Sequence, residues 1–160
     1  LVGCRVGDLF ALTRENIVGD FLEYIPSKNL NKGKTEVVRV PLCGKALNIL
    51  AKYEKYSPRI FPLLDEHFYN LAIQFVLELS GVNRMVPVLN PLTRQEEMKP
   101  LYEVATSHVA RRTFIANIYK HVKDQALVAS LTGHAPNSRA FARYRTIDDD
   151  MKREIINLIK

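Results

Sequence analysis

Two basic side chains, His108 and Arg111, are the first candidates for chemistry because they lie three residues apart in a segment that predicts a helix. Thr106 and Ser107 are residue types that favour a helix N-cap, so the predicted helix begins near residue 108 and runs to about residue 120. Residues three apart share a helical face, and the N–H groups of a first turn attract anions. The segment therefore predicts a phosphate-binding site. A plainer interpretation stays open, in which Arg111 or Arg112 is a solvated surface charge and His108 a partial cap.

A tyrosine surrounded by basic residues follows this helix in the chain. The pair Gly133-His134 comes first, and Tyr144 lies ten residues beyond His134, between Arg143 and Arg145. A phenol has an ordinary pKa of about 10, so it is mostly protonated at neutral pH. Nearby positive charge favours the phenolate, which is a nucleophile. This neighbourhood makes Tyr144 the candidate nucleophile.

A further arginine lies at the beginning of the chain, in the run Gly3-Cys4-Arg5-Val6-Gly7-Asp8-Leu9. The order along the chain is therefore an arginine box, a basic hairpin, His-x-x-Arg, Gly-His and tyrosine. In this order the chain resembles the catalytic domain of tyrosine recombinases of the phage-integrase type, over essentially its whole length. Asp8 matches the acidic residue of the family's first box. The resemblance implies that Asp8 is an orienting or structural partner in that box. Thr132 is a departure, because the family's second motif reads Leu-Gly-His (with Trp in some members).

The resemblance implies a site-specific DNA recombinase or integrase that cuts and rejoins double-stranded DNA through a 3′-phosphotyrosyl link to Tyr144. It implies that Arg5 and Arg111 bind the scissile phosphate. It further implies that His134 adds a hydrogen bond to the phosphate. His108 would donate another or help to accept the tyrosine proton.

The family also uses a lysine from the β-hairpin, which protonates the leaving oxygen. Three lysines are available here, Lys28, Lys32 and Lys34, in a polar loop that is longer than usual for the family. We favour Lys28 because it follows the first strand directly, as family lysines commonly do. The alternative is that all three are loop charges that touch the DNA backbone. The residues predicted to contact DNA outside the catalytic set are Lys32, Lys34, Arg112, Arg143 and Arg145.

This set of residues suits phosphodiester chemistry without a metal. The planar forks of two arginines hold the non-bridging oxygens and neutralise charge that grows in the transition state. A covalent intermediate conserves the bond energy, so rejoining needs no nucleotide. We therefore expect no cofactor, no metal and no small-molecule substrate.

The other tyrosines fit packing positions better than a catalytic one. Tyr24 falls in a predicted strand, and Tyr53 and Tyr69 fall in predicted amphipathic helices. Tyr102 and Tyr119 flank the helix that carries His108. Of the tyrosines compared, Tyr144 alone follows a Gly-His pair at the family spacing.

The predicted fold is mainly α with a small antiparallel β-sheet, an α+β architecture. Residues 20–25 and 36–42 are rich in β-formers and flank the turn-rich loop 27–35, which predicts a β-hairpin. Residues 82–100 predict a loop with a short strand, and residues 102–105 a further short strand. One long helix has an apolar face formed by Leu64, Phe68, Leu71, Phe75 and Leu79. The predicted helices cover residues 7–16, 45–56, 64–79, 108–120, 124–131, 138–145 and 150–159.

Composition agrees with a DNA-binding domain without requiring one. The 160 residues carry a net charge of +6 with 47% hydrophobic residues, and the sequence pI is about 9.4. A basic surface favours anionic partners such as nucleic acid. Two cysteines form no metal-ligand spacing or disulfide framework, and no membrane span or signal peptide is apparent, which predicts a cytoplasmic protein. We expect residues 1–160 to be a single catalytic domain, a fragment without the N-terminal DNA-clamping domain that such enzymes usually carry.

Two rival functions remain open on the sequence. A type IB topoisomerase-like DNA strand transferase uses a similar arginine, lysine, histidine and tyrosine set. A non-catalytic helical DNA-binding module would explain the basic charge and the helices alone.

The resemblance also implies a setting. Such enzymes work as tetramers on two DNA duplexes, in a bacterial chromosome, a phage or a mobile element, in the cytoplasm at the nucleoid. The apolar group Ile155, Ile156 and Ile159 suggests that the last helix docks on a neighbouring subunit, or else folds back on its own core.

Overall fold

The computed structural model describes residues 1–62, 65–122 and 124–134, together with Arg153, Ile156 and Asn157. The helix predicted over residues 138–145 lies outside the described residues. Of the helix predicted over residues 150–159, only those last three residues are described.

A three-stranded antiparallel sheet forms the centre of the first half of the chain. Its strands are β1 (Ile17–Val18), β2 (Phe21–Tyr24) and β3 (Val38–Pro41), in the order β1-β2-β3. Strand β2 pairs with β3 from Phe21 opposite Pro41 to Tyr24 opposite Val38, which confirms the predicted hairpin. Strand β1 was not predicted, because two residues are too short to show an alternating pattern.

Short helices surround this sheet. Helix α1 (Val6–Ala11) is followed by a 3₁₀ turn at Arg14–Asn16, and α2 (Ser27–Leu30) lies inside the hairpin connection. Helix α3 (Gly44–Lys52) follows β3. Alternate residues of the strands are buried and pack with side chains of α1 and α3 into one core. That core contains Leu12, Leu22, Tyr24, Val38, Val40, Leu42, Ala46 and Ile60.

A second core joins two helices that were both predicted. Helix α6 (Ser107–His121) packs on α7 (Gln125–Thr132) through the buried side chains Ile115, Tyr119, Val128 and Ala129. Asp124 caps α7 by accepting hydrogen bonds from Ala126 N at 2.8 Å and Leu127 N at 3.2 Å. Gly133 ends the helix in the left-handed conformation at φ +64°, as its residue type predicts. The bounds of α7 are thus set by local signals at both ends.

Residues 82–105 differ from the prediction. Strands β4 (Met85–Leu89) and β5 (Glu96–Pro100) form a two-stranded antiparallel hairpin, and residues 101–104 form the short helix α5 (Leu101–Val104) instead of a strand. The prolines in this segment argued against strands. In a two-stranded sheet, however, both strands are edges, and Pro87 is tolerated there opposite Met98. The turn is closed by Asn90, whose side-chain oxygen accepts hydrogen bonds from the backbone nitrogens of the next residues.

Helix α4 (Glu66–Leu79) begins two residues after its predicted start, and Leu64 lies outside the described residues. Its predicted apolar side chains Phe68, Leu71, Phe75 and Leu79 are exposed in the described part of the protein. Asp65 caps it through hydrogen bonds from His67 N and Phe68 N. Phe75 is 60% exposed and Leu79 is 71% exposed. Among the described helices, none is both long enough and apolar enough to span a membrane.

Candidate active site

Arg111 is the centre of the site and is almost fully buried, with 3% of its surface exposed. It lies on α6, one turn after the helix begins. Its Nη1 donates a hydrogen bond to the carbonyl oxygen of Gly3 at 2.6 Å, and its Nη2 donates one to the carbonyl oxygen of Thr132 at 2.8 Å. These two carbonyls come from opposite ends of the described chain, and they hold the planar guanidinium in one orientation.

His134 lies directly against this guanidinium. Arg111 Nη2 is 3.0 Å from His134 Nδ1 and 3.1 Å from His134 Nε2. The backbone of His134 donates a hydrogen bond to the carbonyl of Ala129 at 3.1 Å, so the residue completes the C-terminal turn of α7. A second contact of the ring joins Nδ1 to the hydroxyl of Thr132 at 2.8 Å. The predicted partners from two separate motifs are therefore in direct contact.

Gly133 explains how His134 reaches this position. Its left-handed backbone turns the chain at the end of α7, and a Cβ there would lie 2.9 Å from Pro26 Cγ and 3.0 Å from Val38 Cγ2. The absence of a side chain lets the end of α7 approach the hairpin closely. The Gly-His pair thus brings the imidazole next to the connection between β2 and β3.

The pKa of His134 depends on its burial and on the charges near it. Burial lowers the pKa of His134 from 6.5 to about 4, with further lowering from the positive charges of Arg111, Arg5 and Lys28 in that order. The imidazole is therefore neutral at physiological pH. Three basic side chains from separate parts of the chain therefore act on one imidazole.

Arg5 is positioned next to α1 by a buried carboxylate. Asp8 is 4% exposed, and its Oδ2 lies 3.8 Å from Arg5 Nη1. The other oxygen, Oδ1, accepts hydrogen bonds from the backbone nitrogen and the hydroxyl of Ser27, both at 2.8 Å. Asp8 therefore joins the arginine box to the first residue of α2, which precedes Lys28.

The three candidate lysines differ in position. Lys28 is exposed in the first turn of α2, immediately after Ser27, and its charge acts on His134. Lys32 and Lys34 are also exposed and lie further along the connection, before β3. The choice of Lys28 as general acid stays a prediction, with its position beside the site in its favour.

The remaining predicted residues are less directly connected. His108 and Arg112 are exposed on α6. His108 precedes Arg111 by about one helical turn, so the two residues share a helical face as predicted. Tyr144, Arg143 and Arg145 lie outside the described residues. The structure thus brings together Arg5, Lys28, Arg111 and His134, and the roles of all the candidates stay predictions.

Two of the other tyrosines are poor nucleophiles for a physical reason. Burial raises the pKa of Tyr24, and burial also raises the pKa of Tyr69. A raised pKa holds the phenolic proton more firmly and disfavours the phenolate. Both residues are therefore better explained as packing residues.

Sequence reasoning missed three residues that organise the site. Ser27 donates to Asp8, the Gly3 carbonyl accepts from Arg111, and the Thr132 hydroxyl contacts His134. The one available signal was Thr132, which departs from the Leu-Gly-His motif of the family that the chain resembles. Among the described residues, no group of three or more His, Cys, Asp and Glu side chains is placed to hold a metal ion.

Two solved structures share this fold. The crystal structure of XerA recombinase matches 98% of this chain with a TM-score of 0.69 and 17% sequence identity. The crystal structure of XerH site-specific recombinase, bound to its difH substrate in a pre-cleavage complex, matches 99% of this chain with a TM-score of 0.64 and 14% identity. The chain spans about half the length of these proteins, 52% and 44% respectively. No protein-family model and no curated protein sequence matches the chain.

The predicted fold class is confirmed by these findings. The chain is mainly helical with small antiparallel sheets, and its fold is similar to the catalytic domain of tyrosine recombinases. At such low sequence identity the likeness establishes the fold, and the activity has to be argued from the residues.

Proposed function

We propose that this chain is the catalytic domain of a site-specific DNA recombinase, which cuts and rejoins DNA through a covalent link to Tyr144. The single observation that carries the proposal is the contact between the buried Arg111 and His134, with the charges of Arg5 and Lys28 acting on the same imidazole. Three positive charges around one point suit an anion such as a phosphodiester. The similarity in fold to two recombinases adds support.

The proposed reaction uses these charges to stabilise the transition state. The phenolate oxygen of Tyr144 attacks the phosphorus, and the bond from phosphorus to the 5′ oxygen breaks. Arg5 and Arg111 hold the non-bridging oxygens, where negative charge grows. Because Arg111 is buried, its interaction with the phosphate is screened by water much less than that of a surface arginine.

Two proton transfers complete the first step. Lys28 gives a proton to the departing 5′ oxygen, and the phenolic proton of Tyr144 passes to His108. The products are a 3′-phosphotyrosyl enzyme and a free 5′ hydroxyl. In the second step a 5′ hydroxyl attacks the phosphotyrosine, the bond to Tyr144 breaks, and a DNA strand is restored without any nucleotide.

The wider setting is also part of the proposal. We expect the substrate to be a specific recombination site in double-stranded DNA, bound by four copies on two duplexes, with integration of a mobile element as one outcome. The basic residues Lys32, Lys34, Arg112, Arg143 and Arg145 would contact the DNA backbone, which makes binding sensitive to salt.

The test is a covalent adduct. The protein is incubated with a half-site DNA substrate that carries its recombination sequence, and the products are separated on a denaturing gel. We expect a protein–DNA adduct that forms in the presence of a chelator and is lost in Tyr144→Phe. Tyr56→Phe is a matched control, because Tyr56 is an exposed tyrosine that is not among the predicted site residues. This variant should form the adduct normally.

Each alternative predicts a different result. An adduct that survives Tyr144→Phe would move the nucleophile to another residue. Salt-sensitive binding to the correct site without any adduct would favour a DNA-binding module. Relaxation of supercoiled DNA without a pair of sites would favour a topoisomerase-like activity.

A further inference from the structure

Thr132 is a fully buried threonine whose side chain contacts His134. It has no exposed surface, and its Oγ1 lies 2.8 Å from His134 Nδ1. The same hydroxyl lies 3.1 Å from the carbonyl oxygen of Val128 and 3.2 Å from that of Ala129. Its own carbonyl accepts the hydrogen bond from Arg111 Nη2. One residue therefore contacts both side chains that form the centre of the site.

The direction of these hydrogen bonds follows from counting donors. A guanidinium has only donors, a threonine hydroxyl has one hydrogen, and a neutral imidazole has one N–H and one lone pair. The hydroxyl hydrogen of Thr132 has acceptors on its own helix, the carbonyl oxygens of Val128 and Ala129. With its hydrogen on one of these carbonyls, the hydroxyl oxygen can only accept a hydrogen bond from Nδ1 at 2.8 Å, so Nδ1 carries the imidazole proton. The lone pair of the neutral ring is then at Nε2.

We propose that Thr132 is a positioning residue, whose hydroxyl accepts the Nδ1 proton of His134 and so holds the neutral imidazole in the tautomer with its lone pair at Nε2. This inference deepens the proposed function and rests on it where it concerns the reaction. A tautomer held in this way by a hydrogen bond at the other ring nitrogen is a common means of preparing a histidine for chemistry.

The tautomer changes the role expected for His134. A neutral imidazole with its lone pair at Nε2 accepts a proton there, and it donates a hydrogen bond to a phosphate only after that proton has arrived. The charged groups that face it, Arg111, Arg5 and Lys28, oppose protonation in the protein without DNA. The negative charge of a bound phosphate would offset these positive charges and favour the imidazolium. His134 would therefore take up a proton as DNA binds.

The tautomer can be measured directly by ¹⁵N NMR of the imidazole rings at neutral pH, on the full chain without DNA. The signals of His134 are assigned by their loss in His134→Asn. We expect the Nδ1–H tautomer in the wild type, and a shift towards the Nε2–H tautomer in Thr132→Val, which keeps the shape of the side chain without its hydroxyl. Thr132→Ser restores the hydroxyl and should restore the wild-type signals.

A matched control lies on the same helix. Ser130 is exposed, and its hydroxyl donates to the carbonyl of Leu127 at 2.7 Å. Ser130→Ala removes a comparable side-chain bond to the helix backbone without touching His134. It should leave both the tautomer and the rate of adduct formation unchanged.

The reaction supplies the second measurement. Thr132→Val should slow adduct formation on half-site DNA by roughly 10- to 100-fold, the range found when a partner that orients a metal-bound histidine is lost. Thr132→Ser should react at close to the wild-type rate. Both variants are compared at equal occupancy of the DNA, so that weaker binding is not counted as slower reaction.

Three results would overturn the inference. The first is a wild type with the Nε2–H tautomer, and the second is an unchanged tautomer in Thr132→Val. The third is a Thr132→Val variant that forms the adduct at the wild-type rate. A wild type that forms no adduct at all contradicts the proposed function, and the NMR result then still decides the tautomer.

Discussion

His134 should make the folded protein sensitive to acid within a defined range of pH. Its pKa is about 4 in the folded protein, whereas the ordinary value is 6.5. As the pH falls below 6.5, the unfolded chain takes up a proton at this residue and the folded chain does not. The stability contributed by neutral His134 is therefore fully present above pH 6.5. It is lost progressively as the pH falls towards 4, and below that value no further loss comes from this residue.

The size of the effect follows from the two pKa values. The difference is 6.5 − 4 = 2.5 units. At about 1.4 kcal/mol per unit, this gives an upper limit of about 3.5 kcal/mol. Because His134 is only partly buried, solvent screening reduces the figure, and we expect about 1–2 kcal/mol.

Urea unfolding provides the assay. The free energy of unfolding is measured at two pH values, one above 6.5 and one near 4, for the wild type, His134→Asn and His67→Asn. Protonation of carboxylates lowers the stability of all three proteins, so the comparison isolates the imidazole. Between the two pH values His134→Asn should lose about 1–2 kcal/mol less stability than the wild type. His67 is exposed at the start of α4, and its variant should follow the wild type.

Equal losses in the wild type and His134→Asn would refute this reasoning. Such a result would mean that His134 takes up its proton equally in the folded and unfolded chains. Burial and the three positive charges would then have no net effect on the pKa of the imidazole, and the electrostatic basis of the proposed site would be lost.

Two further substitutions test how the site is held together. Gly133→Ala should reduce the free energy of unfolding by more than the roughly 1–2 kcal/mol expected for a left-handed residue alone, because its Cβ would also meet the hairpin. Gly81→Ala is the matched control, since Gly81 has φ +69° with open space around it, and urea unfolding of both variants gives the difference. Asp8→Ala should cost about 2–4 kcal/mol because it removes a buried carboxylate that accepts two hydrogen bonds from Ser27, whereas Asp65→Ala removes an exposed cap and should cost about 1 kcal/mol. A cost for Asp8→Ala no greater than that for Asp65→Ala would contradict the positioning role of Asp8.

The parts of the fold that were predicted correctly have local signals. Helix α7 begins at a residue type that caps helices, Asp124, and ends at a glycine, Gly133. Strands β2 and β3 are runs of β-formers on either side of a turn-rich loop. In each case the information lies within a few residues, so the sequence is sufficient.

The errors have a common physical cause. The hairpin of β4 and β5 contains prolines that argue against strands, and they are tolerated because both strands lack a second neighbour. Helix α4 has the correct period, but the exposure of Phe75 and Leu79 depends on what packs beside the helix. Propensity and periodicity are properties of one element, whereas its edge position and burial depend on the neighbouring elements.

For the site as well, side-chain types predicted some of the residues but not the backbone groups that position them. Arg111 could be named from its spacing, but its hydrogen-bond acceptors are the backbone carbonyls of Gly3 and Thr132, and every residue has a carbonyl. Gly3 lies 108 positions from Arg111, so no local pattern connects them. The sequence records the contact only indirectly, because a Cβ at Gly3 would overlap the ring of Phe114 on α6. The glycines of the Gly-x-Arg box and of the Gly-His pair are therefore part of the site as spacers, since each allows a close backbone approach that holds Arg111 against His134.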